Sequence, residues 1–76
     1  MTNSDFGVVL FHSTTHALRA EKVAKAAGLT IKLIPVPRQL SSDCGVALRF
    51  PWKDAASIRA LLEEKGVPIA SIHRLE

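Results

Sequence analysis

Cys44 is the single cysteine of this 76-residue chain and the residue best suited to covalent chemistry. A cysteine thiolate is a strong nucleophile, and a nearby cation or helix N-terminus lowers the pKa of the thiol. The residues around it, Ser41-Ser42-Asp43-Cys44-Gly45, are polar, which favours an exposed loop. Gly45 permits a positive φ or the close approach of another backbone. A buried cysteine that only fills space is the alternative.

Other kinds of site have weaker support. His12, His16 and Cys44 could converge on zinc, but their spacing matches no recognised zinc motif, so we expect no metal. The chain has no glycine-rich phosphate loop and no nucleophile elbow, and we expect no cofactor. The cations are dispersed, and the third predicted strand offers one aromatic, Phe50, so nucleic-acid binding is not expected.

Hydrophobic periodicity and turn residues predict the elements that position these side chains. The first strand is apolar on both faces, which is typical of a central strand. Pro35 and Pro37 indicate that the second strand lies at an edge. The predicted elements are strands at 6–12, 30–36, 46–50 and 69–75, a helix from 13–15 to Ala27 that stops at Gly28, and a helix from an Asp54 N-cap to Gly66. The predicted apolar stripes of the helices are Ala17, Ala20, Val23, Ala24 and Ala27, then Ala55, Ile58, Leu61, Leu62 and Lys65.

This order predicts an α+β fold, the ferredoxin-like βαββαβ two-layer sandwich. It has a four-stranded antiparallel sheet, with strands one and three central and two helices on one face. We expect one domain over residues 1–76, with Met1–Asp5 loose. The topology brings residues 12–16 and 38–45 to one end of the sandwich and His73 toward the other. Arg38, Thr15 and the rest of the first helical turn are therefore expected to stabilise a Cys44 thiolate.

Composition indicates the environment. The chain is 47% hydrophobic and 22% charged, with a net charge of +3, which is typical of a small globular domain. A single cysteine permits no internal disulfide, whereas secreted domains of this size usually carry several, so we expect a cytoplasmic protein. The N-terminus shows no signal-peptide pattern and no segment of spanning length, so we expect no membrane association.

Two segments resemble the small bacterial domains described as putative selenium/sulfur carrier protein-like. They are Phe11-His-Ser-Thr-Thr-His-Ala-Leu-Arg-Ala-Glu-Lys22 and Pro35-Val-Pro-Arg-Gln-Leu-Ser-Ser-Asp-Cys-Gly45, and the resemblance extends from about Phe6 to Leu75. It implies that Cys44 is the motif cysteine. It also implies motif positions for Arg38, Ser41, Ser42, Gly45, His16 and Glu21.

The resemblance and the cysteine loop together suggest a carrier that holds sulfur or selenium as a Cys44 persulfide or selenopersulfide. Its expected partners are a donor enzyme, such as a cysteine desulfurase, and an acceptor protein. Such a carrier is an accessory protein rather than a turnover enzyme. The alternative is a non-catalytic binding or regulatory module of the same fold, homodimeric through the edge strand at residues 30–36.

Overall fold

The computed structural model describes residues 5–37, 40 and 45–75. In this part of the chain four strands and two helices follow one another in the predicted order, β-α-β-β-α-β. They are β1 (Phe6–Leu10), α1 (Thr14–Ala26), β2 (Lys32–Pro35), β3 (Val46–Pro51), α2 (Ala55–Glu64) and β4 (Ser71–Arg74), with a single 3₁₀ turn at Trp52–Asp54 before α2.

The four strands form one antiparallel sheet in the order β2-β3-β1-β4. Both helices lie on one face, because their buried side chains share a core with Val9 and Phe11. This confirms the predicted ferredoxin-like sandwich, with β1 and β3 in the centre and the proline-containing β2 at an edge. Right-handed crossovers account for this order, since each helix must return the chain across one intervening strand.

Strand β1 is buried on both faces. Val9 and Phe11 point toward the helices and are 0% exposed. Val8 and Leu10 point the other way and are 0% and 2% exposed. On this second side, the helix-free face, they form a cluster with Ala47. The partly buried hydrophobic residues that cover this cluster are Ile34, Val36, Leu40 and Leu75.

Small side chains let α1 lie close to the sheet. Ala17, Ala20 and Ala24 are each 0% exposed, as the predicted stripe requires. Ala27 was predicted to extend that stripe and does not, because α1 ends at Ala26 and Ala27 is the exposed C-cap residue. Gly28 follows with φ of 82°, a left-handed conformation in which glycine carries no Cβ penalty.

Helix α2 buries Ile58 and Leu62 against the same core. Asp54 occupies its N-cap position, as predicted, but its side chain makes no capping hydrogen bond, because a 3₁₀ turn leads into the helix. Lys65 was predicted to continue the stripe and to extend its amine to solvent at the helix end, and it is the exposed C-cap residue. Its carbonyl oxygen accepts a hydrogen bond from Arg19 Nη2 at 3.3 Å.

We predict that Gly7→Ala destabilises the fold, because a Cβ at Gly7 would lie 2.8 Å from Phe50 Cζ and from Trp52 Cζ3. Phe50 is 1% exposed and stacks on Trp52, with ring centroids 5.9 Å apart, so its ring cannot move aside freely. The expected loss is about 1–3 kcal/mol of unfolding free energy, the usual cost of overpacking. Urea denaturation followed by circular dichroism measures it.

The matched control is the same substitution in a Trp52→Leu background, where part of the obstruction is gone. Gly7→Ala should cost less there, and the difference is the coupling between the two positions. An equal cost in both backgrounds would contradict this account of the packing.

Candidate functional site

The predicted site residues that the structure describes lie at one end of the sandwich. Leu10 pairs with Ala47 and with Ser71, and Pro35 pairs with Val46. The carboxyl end of β1, the start of α1 and the β2–β3 connection therefore meet at this end. We call it the motif end and define it by the described residues 12–16, 36, 37, 40 and 45. The structure thus brings the two described parts of the predicted site to the same end of the sheet.

The N-terminus of α1 lies at the motif end and is capped by Ser13. Ser13 has an extended backbone (φ −152°, ψ 157°), and its hydroxyl oxygen accepts a hydrogen bond from the backbone N–H of His16 at 3.4 Å. The first turn contains no acidic residue, and Thr15 is exposed. The positive end of the helix dipole is therefore not offset by a carboxylate in that turn, which favours a nearby anion.

The two histidines of the motif end differ in their surroundings. His12 is exposed, whereas His16 is half-buried in the first turn of α1. Nδ1 of His16 is buried and has no hydrogen-bond partner among the residues that the structure describes. A buried polar atom without a partner is uncommon and calls for a specific explanation, such as a group that arrives later. His16 is thus the described side chain of the predicted site with an unused polar atom.

Four predicted site residues, Arg38, Ser41, Ser42 and Cys44, lie outside the described residues, so their placement stays a prediction. The base of the connection is described. The backbone N–H of Val36 donates to the carbonyl of Gly45 at 3.3 Å, which closes the connection next to Cys44.

The described residues on either side of Cys44 lie on different faces of the sheet. Leu40 packs on the helix-free face against Val8 and Leu10. Val46 packs on the helix side, against the main core. Leu40 therefore faces away from α1, although it belongs to the connection that shares an end with the helix. Among the described residues, no atom beyond its chain neighbours lies within 4 Å of the position that a Cβ would take at Gly45.

Neither a metal site nor a membrane span is found in the described part of the chain. Among residues 5–37, 40 and 45–75, no three His, Cys, Asp or Glu side chains lie close enough together to hold a metal ion. Neither of the described helices has the length and apolar character needed to cross a bilayer.

A family model described as "Putative Se/S carrier protein-like" matches residues 6–74. The chain belongs to this family. The match includes the helix-start segment, the cysteine segment and all the described strands and helices, so it confirms the resemblance found in the sequence. The family description names a carrier of selenium or sulfur without specifying its chemistry or partners.

A protein of Escherichia coli (strain K12), "Uncharacterized protein YtiA", is 38% identical to the chain over 39 residues. The similarity covers 51% of this chain and 46% of the relative, so the chain spans about half the length of the curated relative it matches. No solved structure matches the chain.

The structure also shows a group of residues that sequence reasoning missed. Lys32, Arg49 and His73 lie on the helix-free face, and we call them the basic row. The Arg49 guanidinium lies over the Phe6 ring, 4.7 Å from its centroid. His73 Nε2 and Ser71 Oγ are 2.9 Å apart. Sequence alternation within each strand does not relate one strand to another; the pairing register shows that the three lie in one line across the sheet, with Val8 between Arg49 and His73.

Proposed function

We propose that the protein carries sulfur or selenium on Cys44 between a donor and an acceptor protein. The observation that carries this proposal is membership of the carrier-like family over residues 6–74, which include the cysteine motif. Two features of the motif end support it: a capped helix N-terminus without a carboxylate in its first turn, and a half-buried histidine with an unused ring nitrogen.

The transfer would proceed by sulfur exchange without a net change in redox state. The Cys44 thiolate attacks the outer sulfur of a donor persulfide, R–S–SH. A new S–S bond forms at Cys44, the donor S–S bond breaks, and the donor leaves as the thiolate R–S⁻. The acceptor thiolate then attacks the outer sulfur of Cys44–S–SH in the same way and restores the Cys44 thiolate. A selenopersulfide follows the same steps with selenium as the outer atom.

We propose that Cys44 lies at the motif end, within reach of the first turn of α1. Leu40 and Val46 flank it and lie on opposite faces of the sheet, so a position at the sheet end between them accounts for both. There the helix dipole and Arg38 would stabilise the thiolate before transfer and the leaving thiolate after it. Ser41 and Ser42 would keep the loop solvated, and Gly45, which no described side chain crowds, would leave room for the partner.

Transfer between proteins agrees with the cysteine content of the chain. Because Cys44 has no second thiol in the chain, its persulfide cannot be resolved as an internal disulfide. The outer sulfur must therefore leave to another molecule. The domain would act as an accessory protein that turns over only with its partners.

We predict that the chain gains the mass of one sulfur atom when it is incubated with a cysteine desulfurase and cysteine. The adduct should be removed by a thiol reductant and should be absent from Cys44→Ser. Intact-protein mass spectrometry measures both. No adduct on a folded wild-type chain, with Cys44 accessible to an alkylating agent, would contradict persulfide transfer from this donor class and favour a binding module.

We predict that Ser13→Asp raises the pKa of the Cys44 thiol. Aspartate is also a good N-cap, so the helix start should be retained, but its charge offsets the positive end of the dipole. Ultraviolet absorbance of the thiolate, titrated against pH, gives the midpoint. In the wild type it should lie below the free-thiol value of about 8.5.

Thr30→Asp is the matched control, because Thr30 is exposed and precedes β2 at the opposite end of the sheet. It adds the same charge and should leave the midpoint unchanged. Equal midpoints for Ser13→Asp and the wild type would show that α1 does not stabilise the thiolate.

We predict that His16→Ala slows alkylation of Cys44 near neutral pH and changes stability little. The reason is that Nδ1 of His16 is buried without a partner among the described residues, so the imidazole is available to hydrogen-bond the thiolate. His12→Ala is the control, since His12 is exposed at the same end and should have no effect. Lower stability with unchanged reactivity would instead show that His16 serves only to cover α1.

A further inference from the structure

The basic row crosses the whole sheet on the helix-free face. Lys32 pairs with Arg49, Arg49 pairs with Val8, and Val8 pairs with His73. Directly opposite residues of neighbouring strands point to the same face, so the three basic side chains stand in one line. The line spans three strand spacings, or about 14 Å. Lys32 is exposed, and Arg49 and His73 are half-buried, so the row is accessible from solvent.

No carboxylate lies within the four strands. Asp5, which precedes β1 in the chain, is bound by Arg74 Nη2 at 3.0 Å. Arg74 itself lies over the Trp52 ring, on the helix side of the sheet. The other described acids belong to the helical layer: Glu21, Asp54, Glu63 and Glu64. In the described part of the chain, the ionisable side chains of the helix-free face are therefore all basic.

A groove borders the basic row. Its volume is about 180 Å³. It lies beside the Lys32–Arg49 pair, which is the last pair between β2 and β3 at the end of the sheet opposite the motif end. The groove has cations at its rim, and its walls are apolar. This combination suits a side chain that carries a carboxylate on a short apolar stem, such as glutamate. The lining residues are Phe6, Thr30, Ile31, Lys32, Arg49 and Phe50.

Leu40, a described residue of the cysteine motif, shares this face with the basic row. Leu40, inside the motif, packs against Val8 and Leu10 on the helix-free face. Val8 lies in line with the basic row, and Leu10 is two residues closer to the motif end, a step of about 7 Å. A protein that reaches the motif from this side therefore also covers the basic row.

We propose that the helix-free face is the docking surface for an acidic region of the protein that exchanges sulfur or selenium with Cys44. Lys32, Arg49 and His73 meet its carboxylates, and one acidic side chain enters the groove. This inference rests on the proposed function and adds the side from which the partner approaches and the charge of its surface. Complementary charge at such a rim guides encounter and orientation more than it adds affinity.

Single-stranded RNA is the competing anionic occupant, and the face fits it less well. Sheets that bind RNA stack bases on several exposed aromatic side chains. Among the described residues of this face, Phe6 is the one aromatic, and the Arg49 guanidinium already covers its ring.

The test is a titration of the ¹⁵N-labelled full-length chain with a synthetic glutamate-rich peptide, followed by NMR. The largest shift changes are expected at Lys32, Arg49 and His73, and they should weaken as salt is added. Lys32→Gln and Arg49→Gln should each weaken binding by about two- to five-fold, the range of exposed charge pairs. Lys32 is exposed, so its variant tests the idea even if Arg49→Gln folds poorly.

Lys22→Gln is the matched control, because it removes an exposed cation from α1 on the other side of the sheet. Equal weakening by Lys22→Gln, or shift changes spread over the helices, would show nonspecific attraction and overturn the proposal. Tighter binding of a uridine oligonucleotide at the same residues would assign the face to RNA instead.

The desulfurase incubation separates this inference from the proposed function. If Cys44 gains sulfur while the peptide does not bind the basic row, the docking surface is wrong and the carrier function stands. If the peptide binds the row but Cys44 never gains sulfur, the face binds acidic proteins for another purpose and the carrier function fails.

Discussion

The structure depends on the burial of β1 on both of its faces. A chain of this length hides only about 60% of its unfolded surface, so a strand removed from water on two sides is a large part of its core. Val9 and Phe11 require a helical layer, and Val8 and Leu10 require a second cover on the opposite side. The helices supply the first cover. The second is built in part by Leu40, a residue of the cysteine motif.

The position of the candidate site follows from the way α1 packs on this strand. Ala17, Ala20 and Ala24 bring the helix close to the sheet, and a larger side chain at any of them would push it away. Only three residues separate the end of β1 at Leu10 from the start of α1 at Thr14. The helix N-terminus is thus held at the end of the central strand. The small residues of α1 thereby fix the positive end of the helix dipole at the motif end.

The features predicted correctly from the sequence are those that local sequence patterns encode. The two-sided apolar run of β1, the prolines near β2 and the glycines after each helix predicted the element order and the sheet arrangement, which the structure confirms. The error at Ala27 arises because the periodic spacing of apolar residues in the sequence continues past the point where the helix ends. The basic row was missed because it is formed by pairing between strands distant in sequence. The roles of Arg38, Ser41, Ser42 and Cys44 stay predictions, since these residues lie outside the described part of the chain.

The residues of the cysteine motif divide into two kinds of role. Leu40 has a packing role, because it helps to cover β1, and the Val36–Gly45 hydrogen bond closes the connection at its base. These interactions tie the connection to the sheet at two described points on either side of the polar residues. The polar residues of the motif are therefore not needed to fill the core. In the proposed carrier, tethering of this kind would limit the conformations that the thiol gives up when a partner binds, and would so lower the entropic cost of transfer.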